Sequence, residues 1–160
     1  MEALVLAGAL TLGGGLRVDV PEGAPTQGGL EAELRWHVLD GAWLGGALSW
    51  AGGVNDENPD RKLIAQRIEA AALLGGDVGL APGWRLGLQA RGGVLGVFGW
   101  PRGFLTDLNN RWGPWLAAEI RVDAHLGGDW WISPRAGAGW TKIVGDRAVP
   151  TAGLHLWTTL

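Results

Sequence analysis

The chain of 160 residues has no cysteine, so it can hold neither a disulfide framework nor a thiolate metal site. It has no tyrosine, two phenylalanines and one methionine, which leaves 11 tryptophans as nearly all of its aromatic content. Arg, Asp or Glu interrupts every apolar stretch before it reaches about 18 residues, and this excludes a membrane-spanning helix. No basic cluster occurs either. With a net charge of −3 and arginines scattered singly, nucleic acid is excluded as a partner and there is no polybasic patch for anionic lipid. What is plentiful is glycine, at 29 residues, and this excess of small residues beside one large amphipathic aromatic suits a membrane barrel better than a soluble core.

The order of the residues carries more than their proportions. From Trp84 to Phe98 the even positions are Trp84, Leu86, Leu88, Ala90, Gly92, Val94, Gly96 and Phe98, while the odd ones include Arg85, Gln89 and Arg91. That alternation is the period of a β-strand with different surroundings on its two faces. The same parity recurs from Pro114 to Leu126, where Leu116, Ala118, Ile120 and Val122 alternate with Glu119, Arg121, Asp123 and His125. It holds again from Leu30 to Val38, against Glu31, Glu33, Arg35 and His37, and from Ile68 to Leu80, against Arg67, Glu69 and Asp77.

A parity kept across several strands requires turns that preserve it. Leu39-Asp40-Gly41, Ala81-Pro82-Gly83 and Gly127-Gly128-Asp129 are read as three-residue loops, each with a left-handed third residue: Gly41, Gly83 and, as a tolerated substitute, Asp129. Longer polar connections are expected at 19–27, 52–62, 99–110 and 141–147. Strands near 3–18, 29–38, 42–51, 64–80, 84–98, 112–126, 130–140 and 149–160 then give an all-β, eight-stranded antiparallel up-and-down barrel. The whole of 1–160 is expected to be one transmembrane domain, with short turns and both termini at one end and long loops at the other. The segment from Leu4 to Leu12 has Glu2 where a signal peptide needs positive charge, so it reads as part of the first strand of a chain whose signal has been removed.

A soluble lipocalin-like barrel has the same alternation with its apolar face inward. The tryptophans decide between the two. On the apolar parity, Trp36, Trp84 and Trp130 lie beside the tight turns, and Trp50, Phe98, Trp112 and Trp140 lie beside the long loops. Two aromatic rows around an aliphatic band are expected of a membrane girdle, because an indole prefers the headgroup level. The charged parity then faces the lumen. There Glu31, Glu33, Glu69, Asp77, Glu119 and Asp123 are matched in number by Arg35, Arg67, Arg85, Arg91, Arg121 and Arg135, so a mutually paired, plugged interior is expected. The turn at Gly127 sets Arg121 opposite Arg135, which requires acids to separate them.

In these features the whole chain resembles the small outer-membrane barrels typified by the OmpA transmembrane domain and OmpX. The resemblance lies in architecture and patterning, and it implies a bacterial outer-membrane location.

Lipid-modifying enzymes also use this scaffold, so a nucleophile, a base and a carboxylate inside the barrel bear on function. Ser133, His125 and Asp123 come within reach of one another in the implied register, but at the tight-turn end, away from outer-leaflet lipid. A polar network filling the barrel is the favoured reading. His37, His125 and His155 share the lumen parity without the spacing of metal ligands, and no metal or organic cofactor is expected. The run Asn55 to Asp60 lacks the central Gly and the spaced Glu of a calcium loop. Trp100, Phe104 and Leu105 are read as rim residues that touch a partner or cap the mouth. The expected role is therefore non-enzymatic: a structural or surface-interaction protein in contact with membrane lipid and acting through its long loops. The alternatives are a lipid-directed enzyme and a narrow channel or small-molecule binder.

Overall fold

The computed structural model describes residues 8–20, 26–55, 63–101, 111–143 and 148–160. Eight strands run in order: β1 (Leu10–Asp19), β2 (Gln27–Leu39), β3 (Ala42–Asn55), β4 (Leu63–Ala81), β5 (Trp84–Pro101), β6 (Arg111–Gly127), β7 (Trp130–Trp140) and β8 (Ala148–Thr159). Each pairs antiparallel with its neighbour in sequence, and β8 returns to β1, so the sheet closes into a barrel without free edges. All regular structure among the described residues is strand.

The closure is staggered. Stepping across hydrogen-bonded partners from Leu10 leads through Trp36, Leu44, Leu74, Ala90, Ala118 and Ala138 to Pro150. The Pro150 carbonyl accepts the amide of Val20, just past the end of β1 and ten residues along the chain from Leu10. A stagger of that size across eight strands tilts them by roughly 40° and leaves an interior just wide enough for side chains.

The barrel turns its apolar parity outward. Leu16, Leu30, Leu48, Leu74, Leu88, Leu116 and Ile120 are all exposed on the outer wall, while the odd positions between them are buried. A folded chain that exposes leucine at the middle of nearly every strand is dressed for a hydrocarbon solvent.

Several boundaries differ from those read in the sequence. β1 begins at Leu10, after Gly8 in a left-handed conformation with φ of 105°, and residues 1–7 lie outside the described residues. β3 extends to Asn55 and β5 to Pro101, so both strands run on into stretches read as loop. Glycine and proline there resemble loop residues, but antiparallel pairing tolerates them where a partner strand continues, as Gly99 pairs with Ala65.

The tight turns also differ in detail. Each has two residues between the paired strand ends, and the strand pairing shifts by one residue beside it. Gly41 and Gly83 are left-handed as expected, with φ of 72° and 79°. In the third turn Asp129 is not; Gly127 and Gly128 take positive φ instead, at 120° and 58°. Gly128 stands first of the two central residues, where a type II′ turn calls for glycine. Gly128→Ala is therefore expected to cost about 1 kcal/mol, from the left-handed backbone, and Asp129→Ala nearly nothing. The two urea unfolding midpoints, measured in lipid vesicles, check this; a larger loss at Asp129 would contradict it.

Candidate functional site: a charged and indole-lined interior

Six arginines (Arg17, Arg35, Arg67, Arg91, Arg121, Arg135) and six carboxylates (Asp19, Glu31, Glu33, Glu69, Glu119, Asp123) are buried among the described residues. All occupy odd positions on strands, so the pleat alone aims them at the barrel axis. Arg91 is the hub. Its guanidinium lies 2.6 and 2.9 Å from the two oxygens of Glu31, 2.8 Å from Glu33, 3.0 Å from Glu69 and 3.5 Å from Glu119. Arg135 enters from β7 and pairs with Glu31 and Glu33. Arg17 reaches Asp19 at 3.0 Å and Glu31 at 2.8 Å, and Arg67 reaches Asp19 at 2.8 Å and Glu69 at 2.6 Å. Each carboxylate of the central cluster thus faces more than one guanidinium, which is what the burial of so many charges requires.

Arg121 does stand opposite Arg135 across β6 and β7. The two cations are drawn apart by different acids. Arg121 turns toward the tight-turn end, to Asp77 at 2.8 Å and Asp123 at 3.3 Å, while Arg135 turns to the central glutamates. Arg85 and Asp77 complete this end at 3.8 Å, with the Arg85 side chain 28% exposed.

The interior also contains residues that were not singled out in the sequence. Arg17 and Asp19 belong to the charge network, and Gln89 donates toward Glu33 and accepts from Arg35 at 3.2 Å. Trp43, Trp115 and Trp157 are buried in the lumen, unlike the tryptophans of the outer wall. Their odd numbers are the available signal: the parity that sends Trp36 and Trp50 outward sends these three inward. They bracket the charges. Arg35 lies between Trp43 and Trp157, its guanidinium carbon 4.2 and 3.2 Å from the two ring centroids. Arg67 lies over Trp115 at 4.3 Å. These are cation–π contacts in a desolvated setting, where they are at their strongest. Toward the long-loop end Trp115 packs with Leu95, Ala117 and Val149, and Val97 and Ile143 lie against that cluster as an apolar layer.

Glycine makes room for the indoles. Trp43 covers Gly75, Trp157 covers Gly13 and Trp115 covers Gly139, each at a place where an added Cβ would overlap the ring. Gly139→Ala is expected to destabilise the barrel by about 1–3 kcal/mol, the usual cost of overpacking against a rigid ring. Gly28→Ala, where nothing lies within 4 Å of the new carbon, serves as its control in the same unfolding measurement.

On the outer wall Trp36, Trp50, Trp84, Trp112 and Trp130 are exposed, while Phe98 and Trp140 are half-buried on the same parity. Phe98 and Trp112 meet edge to face with centroids 5.3 Å apart. Phe104 and Leu105 lie outside the described residues. Trp100 is part of β5, with its backbone opposite Ile64, so it does not stand in a loop.

The catalytic arrangement considered in the sequence does not assemble. Ser133 donates to Asp123 at 2.6 Å, but His125 is exposed at the rim, with Nε2 2.7 Å from the carbonyl of Gly128 and its ring 4.7 Å from that of Trp131. The three histidines do not converge either: His37 lies 3.5 Å from Thr11, and His155 is held against Arg135. Glu31, Glu33 and His155 bring possible ligand atoms within 4.8 Å of one another. Arg91 and Arg135 occupy the cation's position between those carboxylates, so this donor set is already neutralised by guanidinium and does not fit a metal.

No protein-family model matches the sequence, and no curated protein does. Solved structures do match in fold. The attachment invasion locus protein Ail of Yersinia pestis is 12% identical with a TM-score of 0.67, covering 97% of this chain and 100% of its own. Neisserial surface protein A is 11% identical with a TM-score of 0.63, over 95% and 96% of the two chains. The outer membrane protein OprG from Pseudomonas aeruginosa is 12% identical with a TM-score of 0.60, over 96% and 93%. The chain therefore has the eight-stranded fold of small outer-membrane barrels, of the OmpA and OmpX type. Ail has also been crystallised with the heparin analogue sucrose octasulfate.

Proposed function

We propose that the chain is an integral, non-enzymatic protein of the bacterial outer membrane, a single barrel domain whose interior is a closed plug. Its role is structural or in surface interaction, and its partners are membrane lipid and molecules met by the connections at the long-loop end. The observation that carries this reading is the inversion of the two faces: leucine outward at mid-strand, paired charge inward. In water such a molecule would expose its apolar surface and bury its ions, the reverse of a stable soluble fold. The rows Trp36, Trp84, Trp130 and Trp50, Phe98, Trp112, Trp140 serve as its two interfacial girdles.

The plug follows from charge balance and from the indoles. A conducting cation or anion path is lined with charge of one sign in excess, whereas here each guanidinium is matched by carboxylate and both ends of the network carry tryptophan. The absence of enzymatic action is supported by His125, which turns away from Ser133 to its own turn. A surface role agrees with the fold of Ail, a protein known in complex with a sulfated sugar.

Reconstituted in planar bilayers, the barrel is expected to show no steady ionic conductance above that of the bare membrane, and in phospholipid vesicles to release no free fatty acid. Sustained, ion-selective steps would overturn the plug, and fatty-acid release would overturn the non-enzymatic role. A monomer that stayed soluble in plain buffer would overturn the membrane reading itself.

A further inference from the structure

Among the described residues the interior is not filled to both ends. At the tight-turn end it leaves a recess of about 260 Å³, with Arg35, Arg121 and Trp157 among its lining residues and Arg85, Trp131 and Asp77 nearer the mouth. We propose that this recess binds a small organic carboxylate, with the acid on the Arg85 guanidinium and the apolar body beside Trp131.

The charges of the recess are unequally committed. Asp77 and Asp123 both lie against Arg121, at 2.8 and 3.3 Å, and Asp123 also accepts the hydroxyl of Ser133. Arg35 is committed to Glu33 and clamped between two indoles. Arg85 alone of the three lining arginines keeps substantial access to solvent, and its nearest carboxylate oxygen, on Asp77, is 3.8 Å away. Its guanidinium lies over Trp131, 4.6 Å from the ring centroid. A guanidinium resting on an indole keeps N–H donors that a carboxylate can accept through charge-assisted hydrogen bonds. With Arg35 held by Glu33 and Arg121 by Asp77 and Asp123, Arg85 is the least tightly paired cation of the lining.

The walls choose among anions. Toward its mouth the recess offers the half-buried ring of Trp131 together with Ala9 and Thr11. A ligand with a flat apolar body fills this space and removes indole surface from water; a bare inorganic anion leaves it wet. The inference stands apart from the membrane reading, since Arg85 and Trp131 lie on the inward parity whatever solvent surrounds the barrel.

The test is a titration of the barrel in detergent micelles with benzoate, acetate and inorganic phosphate, followed by NMR at the Trp131 indole N–H and the Arg85 Nε–H. Benzoate is expected to shift both signals saturably and to bind more tightly than acetate or phosphate. Arg85→Gln is expected to weaken benzoate about tenfold, the worth of one charge-assisted contact. Lys142→Gln, an exposed change outside the lining of the recess, is expected to leave binding unchanged while keeping the same change in net charge. Benzoate binding that survives Arg85→Gln, equal weakening by both variants, or a preference for phosphate would each overturn the proposal. Unaltered strand amide signals in Arg85→Gln establish that the loss is one of binding and not of fold.

Discussion

Replacing Arg91 with methionine is expected to lower folding stability by about 3–5 kcal/mol, the cost of breaking a buried ion pair from one side. The size follows from position. Arg91 meets Glu31, Glu33, Glu69 and Glu119 within 3.5 Å, and its side chain is wholly buried, so removing it leaves four carboxylates close together around one cation fewer. Arg135 compensates only in part, because its own contacts reach Glu31, Glu33 and Glu119 and leave Glu69 aside. Urea unfolding in lipid vesicles, read through tryptophan fluorescence, gives the change directly. Glu69→Gln added to Arg91→Met is expected to recover part of the loss, since it restores the balance of charge in the network even though Glu69 keeps Arg67 as a partner. A double-mutant cycle between the two sites should therefore show strong coupling, above the few tenths of a kcal/mol seen for independent sites. A loss below 1 kcal/mol for Arg91→Met would mean that the network is well hydrated and that the interior is no plug.

The second large effect is expected on the opposite face. Ile120→Arg places a charge on the outer wall of β6, between the two aromatic rows, where Ile120 is 55% exposed. In a membrane this is expected to cost about 2–4 kcal/mol, falling toward zero for the same change near the rim, for example at Leu126. In a soluble barrel the substitution at an exposed wall position would cost little. The depth dependence is therefore the diagnostic: equal and small effects at Ile120 and Leu126 would contradict the outward apolar face, while a graded series supports it. Together the two variants probe both parities of one sheet.

The architecture was readable because its signals are local. A strand places successive side chains on opposite faces, so the alternation at Leu86, Leu88 and Ala90 against Arg85, Gln89 and Arg91 shows which residues share a face before any partner strand is known. Two of the three tight turns announced themselves through a glycine in the required place, Gly41 and Gly83. The third did not, because Gly127 and Gly128 offer two left-handed positions in a row and only strand pairing decides which geometry is used. Boundaries at the long-loop end were misplaced for a similar reason. Gly99 and Pro101 have low strand propensity in isolation, and it is the continuing partner β4 that keeps them in the sheet.

By itself the sequence determined the closed eight-stranded barrel, the two faces of every strand and the balance of charge on one of them, because each depends on a period of two and on short turns that preserve it. Which charges meet was decided only by the tertiary structure. Arg91 reaches Glu31 across 60 residues and Arg135 reaches Glu33 across 102, and both pairings depend on a ten-residue stagger that no single strand encodes. The same closure put Trp43, Trp115 and Trp157 over glycines inside the barrel and left the recess at Arg85 open at one end. Periodicity is a property of a few neighbouring residues, whereas the filling of a lumen depends on the volumes of side chains brought together from all eight strands.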